Sequence, residues 1–223
     1  MTSRAAVGTV CATMRVTEIF QSIQGETTHA GRPCAFVRFT GCDRRCNYCD
    51  STYAWQGGTE MAAEEILQRL SAFKTRFVTL TGGEPMLQKG IEDLCVRLLA
   101  EGWEVAMETH GQAPLEALPS GVRRIVDAKT PGSGAEDRTF VNLSNLRPGD
   151  EVKFVVSSRA DFDWAVDVSR RFGLEGKAPI LLSPVFGRVE PKDLVGWLLE
   201  SGLDGRLSLQ IHKFIWAPDA RGV

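Results

Sequence analysis

No apolar run in this 223-residue chain approaches the ~20 residues that a membrane span needs. Neither sign of charge is in excess: 26 Lys and Arg stand against 28 Asp and Glu, for a formal net charge of −2. Nothing in that balance favours nucleic acid or an anionic membrane as a partner. Residues 1–13 lack the unbroken apolar core of a signal peptide, so they read as a disordered leader ahead of a single domain at 14–223. Cysteine is too sparse, six in all, for a small secreted disulfide scaffold. No linker or shift in composition divides the rest. What remains is a cytoplasmic protein of ordinary composition, long enough to bury a sizeable core.

From Cys34 onward, short β-rich runs alternate with amphipathic helix patterns. Strands are expected at 35–40, 77–81, 104–109, 124–128, 152–156, 179–183 and 207–211. Ile91, Leu94, Cys95, Leu98 and Leu99 make one helical stripe, and Ile66, Leu67, Leu70 and Phe73 make another. Helices are also expected at 161–172, stopped by Gly173, and at 191–201, between Pro191 and Gly202. The stretch 130–149 carries no helix pattern. Strand–helix alternation with apolar strands implies a mainly parallel sheet. About seven strands are too few for a closed eight-fold barrel, so the expected fold is α/β, an incomplete β/α barrel with its site at the carboxyl ends of the strands.

Three cysteines crowd one loop after the first expected strand: Cys42-Asp-Arg-Arg-Cys46-Asn-Tyr-Cys49, a C-x3-C-x2-C spacing. Clustered thiols in a reducing compartment point to metal or redox chemistry. A structural zinc would need a fourth ligand, with His29 or Cys34 as candidates. A [4Fe–4S] cluster with three cysteines leaves one iron open. Cys95 reads as core packing and Cys34 as a buried strand residue. Thr81-Gly82-Gly83-Glu84-Pro85 follows the next strand; its glycines allow close backbone approach, and its carbonyls and carboxylate suit a ligand ammonium group.

These two motifs together resemble the radical S-adenosylmethionine (SAM) superfamily, whose cluster binds SAM at the open iron and cleaves it to a 5′-deoxyadenosyl radical. The resemblance implies the fold expected above, cluster ligands Cys42, Cys46 and Cys49, and Tyr48 packed against the adenine. Within the superfamily the chain is similar to the 7-carboxy-7-deazaguanine synthase family of queuosine and 7-deazapurine biosynthesis. The matching features are Phe20-Gln21-Ser22-Ile23-Gln24-Gly25-Glu26, Cys49-Asp50-Ser51, Arg38 four residues before the first cluster cysteine, and Gln210-Ile211-His212-Lys213. Thr27 departs from the glycine often found after Gln-Gly-Glu in that family.

The implied reaction is a ring contraction of 6-carboxy-5,6,7,8-tetrahydropterin with loss of ammonia. Gln24 and Glu26 offer an amide and a carboxylate to the pyrimidinone edge. Arg38 offers a bidentate clamp to the substrate carboxylate, and His212 a hydrogen bond to the ring. Ile23, Gly25 and Thr81 complete the expected substrate contacts. Asp50, Gly83, Glu84, Asp127, Lys129, Ser183, Pro184, Val185 and Phe186 are the expected SAM contacts. The family also implies Mg²⁺ on the hydroxyl of Ser51, whose bland alternative is a turn cap. A flavodoxin- or ferredoxin-type electron donor and a homodimer complete the implied partners. A glycyl-radical activating enzyme shares the cysteine spacing but gives no reason for Gln24-Gly25-Glu26. A zinc-binding module without enzymatic activity is the third reading.

Overall fold

Side-chain alternation divides every central strand between a helix-covered face and a concave face. The structure is a computed structural model that describes residues 12–136 and 139–223. The strands are β1 (Thr13–Ile23), β2 (Pro33–Phe39), β3 (Thr59–Ala62), β4 (Phe77–Gly82), β5 (Glu104–Thr109), β6 (Val122–Asp127), β7 (Glu151–Val156), β8 (Ile180–Pro184) and β9 (Gly205–Leu207). They form one sheet in the order β3-β1-β2-β4-β5-β6-β7-β8-β9. From β2 to β9 every pairing is parallel, whereas β1 runs antiparallel to both β2 and β3. The two ends, β3 and β9, do not pair, so the barrel is incomplete.

The helices are α1 (Ala63–Ser71), α2 (Ile91–Ala100), α3 (Arg159–Phe172), α4 (Pro191–Ser201) and the short α5 (His212–Ile215). Ile66 and Leu70 of α1, with Ile91, Leu94 and Leu98 of α2, bury against Val37, Phe39, Leu80 and Met107 of the sheet. Truncating one of them, Leu94→Ala for instance, should cost about 2–5 kcal/mol through lost transfer energy and a cavity. Ser158 caps α3 by accepting from Asp161 N at 3.2 Å, and Gly173 ends it at φ +55°. Pro191 opens α4, and Gly202 closes it in the left-handed region.

The seven expected strands are present, and the structure adds β1 and β3. Their edge of the sheet is partly solvated, so polar residues interrupt the apolar signal. The last strand is shorter and earlier than expected. Beyond Leu207 the chain turns inward, where Ile211 N donates to Gly25 O at 2.9 Å. His212 therefore begins a helical turn rather than ending a strand. β1 starts at Thr13, the last residue of the segment read as a leader; residues 1–11 of that segment lie outside the described residues.

On the concave face a small apolar layer of Cys34, Phe36, Phe77, Ala106 and Ile125 fills the middle. Charged residues flank it on both sides: Glu104, Arg123 and Glu151 at the amino ends, Arg38, Glu108, Asp127 and Lys153 towards the carboxyl ends.

Candidate active site

The carboxyl ends of the strands open into a cleft of about 640 Å³, a size that suits a cofactor together with a small substrate. Register places Arg38 beside Thr81 and Asp127 beside Lys153, so the parallel pairing itself sets their side chains in one row. The cleft is lined by all three loop cysteines, by Gly82 and Gly83, and by residues from both ends of the chain.

The cysteine loop is tied to the Gly-Gly segment. Gly83 N donates to Phe39 O at 3.0 Å and Glu84 N to Gly41 O at 2.8 Å. A Cβ on Gly83 would lie 1.9 Å from Gly41 O, and one on Gly82 would lie 2.3 Å from Phe39 O. These glycines are therefore demanded by backbone contact with the cysteine loop. Cys42 and Cys46 have their thiol pKa values raised chiefly by burial. Cys34 and Cys95 are fully buried and pushed up to about 12 by desolvation, which keeps them protonated and away from metal. Three thiolates on one zinc at ~2.3 Å would stand within ~4 Å of one another. Among the described residues, the compact set of ligand atoms within 4.8 Å is instead Cys42, Asp43 and His110. The wider three-cysteine loop fits an iron–sulfur cluster.

Both chain ends meet at the cleft. A Cβ on Gly25 would lie 2.1 Å from His212 Nδ1, so only glycine admits that imidazole. Gln210 Nε2 donates to Glu26 Oε1 at 2.8 Å and to Asp50 Oδ2 at 3.1 Å, while Lys213 Nζ donates to Asp50 Oδ2 at 2.9 Å. Burial pushes the Asp50 carboxyl up, but the Lys213 charge and its hydrogen bonds outweigh burial and hold it well below the usual range. Burial lowers the His212 pKa, so the ring is neutral at pH 7 and can donate through one nitrogen and accept through the other.

A buried charge network forms the floor. Lys153 Nζ is 2.9 Å from Glu26 Oε2 and 3.5 Å from Asp127 Oδ2, and Lys129 Nζ is 2.8 Å from Asp127 Oδ2. Burial opposes the Lys153 charge, yet Glu26, Asp127 and Glu108 keep its pKa well above the ordinary value. The Glu26 carboxyl is lowered overall, with Lys153 outweighing desolvation. Glu108 moves the other way: burial raises it, Glu26 adds to the rise, and Lys153 and the Thr81 hydroxyl at 2.9 Å offset only part. Asp127 Oδ1 is buried without a hydrogen-bond partner. An unpartnered acceptor beside a cleft suits a ligand hydroxyl or ammonium.

Arg38 gives Nε to Glu18 at 2.8 Å and one Nη to Ser51 Oγ at 3.1 Å, leaving Nη2 without a protein partner among the described residues. Ser51 Oγ donates to Asp50 Oδ1 at 3.0 Å and makes no cap bond. Tyr48 Oη donates to Val155 O at 3.2 Å, which fixes its ring over the end of β7.

The cleft thus gathers most of the residues singled out in the sequence: Ile23, Gln24, Gly25, Glu26, Arg38, Tyr48, Asp50, Ser51, Thr81, Gly83, Asp127, Lys129, Val185, Phe186 and His212. Three do not line it. Glu84 is fully buried, accepting from Thr109 Oγ1 at 2.7 Å, His110 N at 2.8 Å and Met86 N at 3.1 Å, so it orders the segment from within. Ser183 and Pro184 are buried in β8, and the wall passes to Val185 and Phe186. Gln24 is only 2% exposed, and its amide is engaged by Thr79 and Glu26 N at 3.0 Å each. Lys153 went unrecognised as a site residue, whereas Glu108 belongs to the strand-end segment Glu108-Thr109-His110-Gly111, which is similar to the superfamily's E-T-N-G pattern. A lysine inside the apolar strand Val152-Lys153-Phe154 was the available signal.

Comparison with known proteins agrees with this geometry. Residues 36–183 match the Radical SAM superfamily. A 7-carboxy-7-deazaguanine synthase of Koribacter versatilis is 44% identical, over 94% of this chain and 100% of that protein. The enzyme of the same name from Chlorobaculum tepidum is also 44% identical, over 95% of this chain and 98% of its own. The crystal structure of QueE from Escherichia coli shares the fold with a TM-score of 0.74 at 20% identity, over 88% of this chain and 93% of that one. The chain belongs to the radical SAM superfamily and, within it, to the 7-carboxy-7-deazaguanine synthase family.

Proposed function

We propose that this chain converts 6-carboxy-5,6,7,8-tetrahydropterin to 7-carboxy-7-deazaguanine with loss of ammonia. The observation that carries the reading is the joining of three distant motifs at one cleft. Gln24-Gly25-Glu26, Cys49-Asp50-Ser51 and Gln210-Ile211-His212-Lys213 share a single hydrogen-bond network there. When bound, the [4Fe–4S] cluster and SAM supply the radical that begins the reaction.

The chain's residues bind and orient. Cys42, Cys46 and Cys49 hold the cluster. Tyr48 gives the adenine a flat face, Val185 and Phe186 form an apolar wall, and the free Asp127 Oδ1 accepts from SAM, with Lys129 beside it. Glu26, ionised beside Lys153, receives the donor edge of the pterin ring. Arg38 turns its remaining N–H groups to the substrate carboxylate, and neutral His212 hydrogen-bonds the ring. Gln24 supports this surface by fixing Glu26 from behind. Ser51 Oγ would supply one oxygen to Mg²⁺, which would help hold the substrate; the hydroxyl and the Asp50 carboxylate are 3.0 Å apart, a hard oxygen pair. A flavodoxin- or ferredoxin-type protein delivers the electron, and the active form is a homodimer.

Anaerobic turnover with SAM and the carboxytetrahydropterin tests this reading, with product followed by mass. Cys46→Ala should abolish both the iron–sulfur absorbance and SAM cleavage, while Cys95→Ala keeps both. Ser51→Ala should weaken stimulation by Mg²⁺, and Ser51→Thr should preserve it. No product from a brown, SAM-cleaving protein would overturn the substrate. An unchanged Mg²⁺ response in Ser51→Ala would remove Ser51 from the metal site.

A further inference from the structure

His110 stands where β5 ends, 6% exposed and at the wall of the cleft. Its hydrogen bonds fix one tautomer. Gln112 N donates to Nδ1 at 3.1 Å, so Nδ1 is the acceptor and the proton sits on Nε2. Nε2 then donates to Asp43 Oδ1 at 2.9 Å, with Glu84 Oε2 at 3.3 Å on its other side. Asp43 directly follows the first cluster ligand, and the ligand atoms of Cys42, Asp43 and His110 lie within 4.8 Å of one another. A protonated Nε2 has no lone pair for a metal, so the trio is not itself a mononuclear site.

The backbone that carries the imidazole is held as well. Glu84 accepts from His110 N and Thr109 Oγ1, while its own N–H is bonded to Gly41 O, one residue before Cys42. Gly41 and Asp43 thus flank Cys42, and both are moored to the Glu84–His110 unit. Other bonds share in holding this part of the loop: Gly41 N donates to Ala54 O at 2.8 Å, Cys42 Sγ accepts from Arg44 N at 3.4 Å, Cys42 O accepts from Arg45 Nη1 at 2.7 Å, and Arg44 Nε lies 3.6 Å from Asp43 Oδ2.

We infer that His110 is a positioning residue for the iron–sulfur cluster, fixing the Asp43 carboxylate and through it the place and electrostatic field of Cys42. This rests on the cluster assigned above. Groups that orient metal ligands from outside characteristically change metal affinity by ~10–100-fold when removed. The Nε2–H donor also offsets part of the Asp43 charge. Without it a fuller negative charge faces the cluster and disfavours the reduced, more negative state. Without the Asp43 charge, reduction becomes easier.

The experiment compares anaerobically reconstituted parent, His110→Ala, His110→Gln, Asp43→Asn and the His110→Ala/Asp43→Asn double variant. Three quantities are read: the rate of iron release to a chelator, the cluster midpoint potential, and the melting temperature of each apoprotein. His110→Ala should release iron roughly tenfold faster and shift the potential to more negative values. Asp43→Asn should also release iron faster but shift the potential the opposite way. His110→Gln, which places a donor near the Nε2 position, should recover most of the parental behaviour. The double variant should release iron no faster than His110→Ala alone, since both substitutions cut the same link. Parental iron release and potential in His110→Ala overturn the inference, whether or not its apoprotein melts lower. A parent that holds no cluster overturns the cluster assignment itself, a different and recognisable failure.

Discussion

Two charged clusters sit on the concave face of the same strands, one at each end, and their fates differ. At the amino ends Arg32 forks onto Glu104 at 3.1 and 2.7 Å, and Thr28 gives its backbone N–H, at 3.1 Å, and its hydroxyl to Glu151. Arg123 lies 3.8 Å from Glu151, so two carboxylates face two guanidiniums, and none of these residues borders the cleft. Towards the carboxyl ends Glu26, Glu108 and Asp127 share Lys153 and Lys129, with one Asp127 oxygen unpartnered. The loop after β1 joins the two clusters: Glu26 meets Lys153, and Thr28 meets Glu151 two residues earlier on β7. Charge at one end of the strands alone therefore does not mark the site. Incomplete compensation beside an open cleft does.

The sharpest way to break this contrast is to remove one cation from each end. Lys153→Met leaves Glu26 without its cation and Asp127 with Lys129 alone, so turnover should fall at least ~100-fold and stability by about 3–5 kcal/mol. Lys153→Arg should recover stability better than turnover, because the guanidinium keeps the charge but not the shape. Arg32→Met removes a pair whose side chains are 45% and 43% exposed, and it should cost at most ~1 kcal/mol with turnover within about twofold. Denaturant melts and steady-state turnover on the three proteins decide it. Equal loss of turnover in Arg32→Met and Lys153→Met would end the distinction between the clusters.

Arg38 tests the upper cluster more narrowly. Arg38→Lys keeps a cation near Glu18 but loses the planar fork. The apparent KM for the pterin should rise about tenfold, the worth of ~1.4 kcal/mol, while SAM cleavage without substrate persists. An unchanged KM in both Arg38→Lys and Arg38→Ala would make Arg38 a structural partner of Glu18 and Tyr53.

The two ends also differ in how legible they were. Motifs at strand ends, such as Cys42 to Cys49 and Gly82-Gly83, announce themselves because their residue types and spacings are chemically restricted. The helices at 91–100 and 191–201 follow from apolar period and end signals, which are local. Lys153 was hidden because its role depends on which strands become neighbours, and no local pattern encodes that. Glu84 shows the opposite: its motif is conspicuous, but only three-dimensional packing shows that the carboxylate accepts from Thr109, His110 and Met86. β1 and β3 were missed because a partly solvated edge dilutes the apolar alternation.

Glu26 and Glu108 share one network yet shift in opposite directions, which gives a smaller test by pH. Glu26, lowered in the fold, contributes stability above the unfolded carboxyl value of ~4.3 and loses it as pH falls through its folded value. Glu108, raised, contributes stability in full below ~4.3 and loses it as pH rises through its folded value. As pH rises above ~4.3 the parent should therefore lose stability that Glu108→Gln does not. Taking the difference between the two proteins cancels the titration of His212. Parallel pH–stability curves would refute the raised Glu108.

The smallest effect is expected at Thr27, between the residue that serves the upper cluster and the one that serves the lower. Its φ of +64° is a left-handed conformation in a β-branched residue, worth roughly 1–2 kcal/mol of strain. Part of that cost is offset by Thr27 Oγ1, which accepts from His29 N at 3.1 Å. Asparagine tolerates this conformation and keeps a side-chain acceptor, so Thr27→Asn should gain about 0.5–1 kcal/mol. Glycine relieves the strain but loses the hydrogen bond and adds ~0.5–1 kcal/mol of chain entropy, so Thr27→Gly should change little. Valine keeps the branching and loses the acceptor, so Thr27→Val should be about 1 kcal/mol less stable. Urea melts of the four proteins should therefore rank Asn first, Gly level with Thr, and Val last. Turnover should be level in all but Val, because Glu26 and Thr28 stay anchored on either side. A Thr27→Asn variant less stable than the parent would show that the left-handed backbone at Thr27 stores no strain that asparagine can relieve.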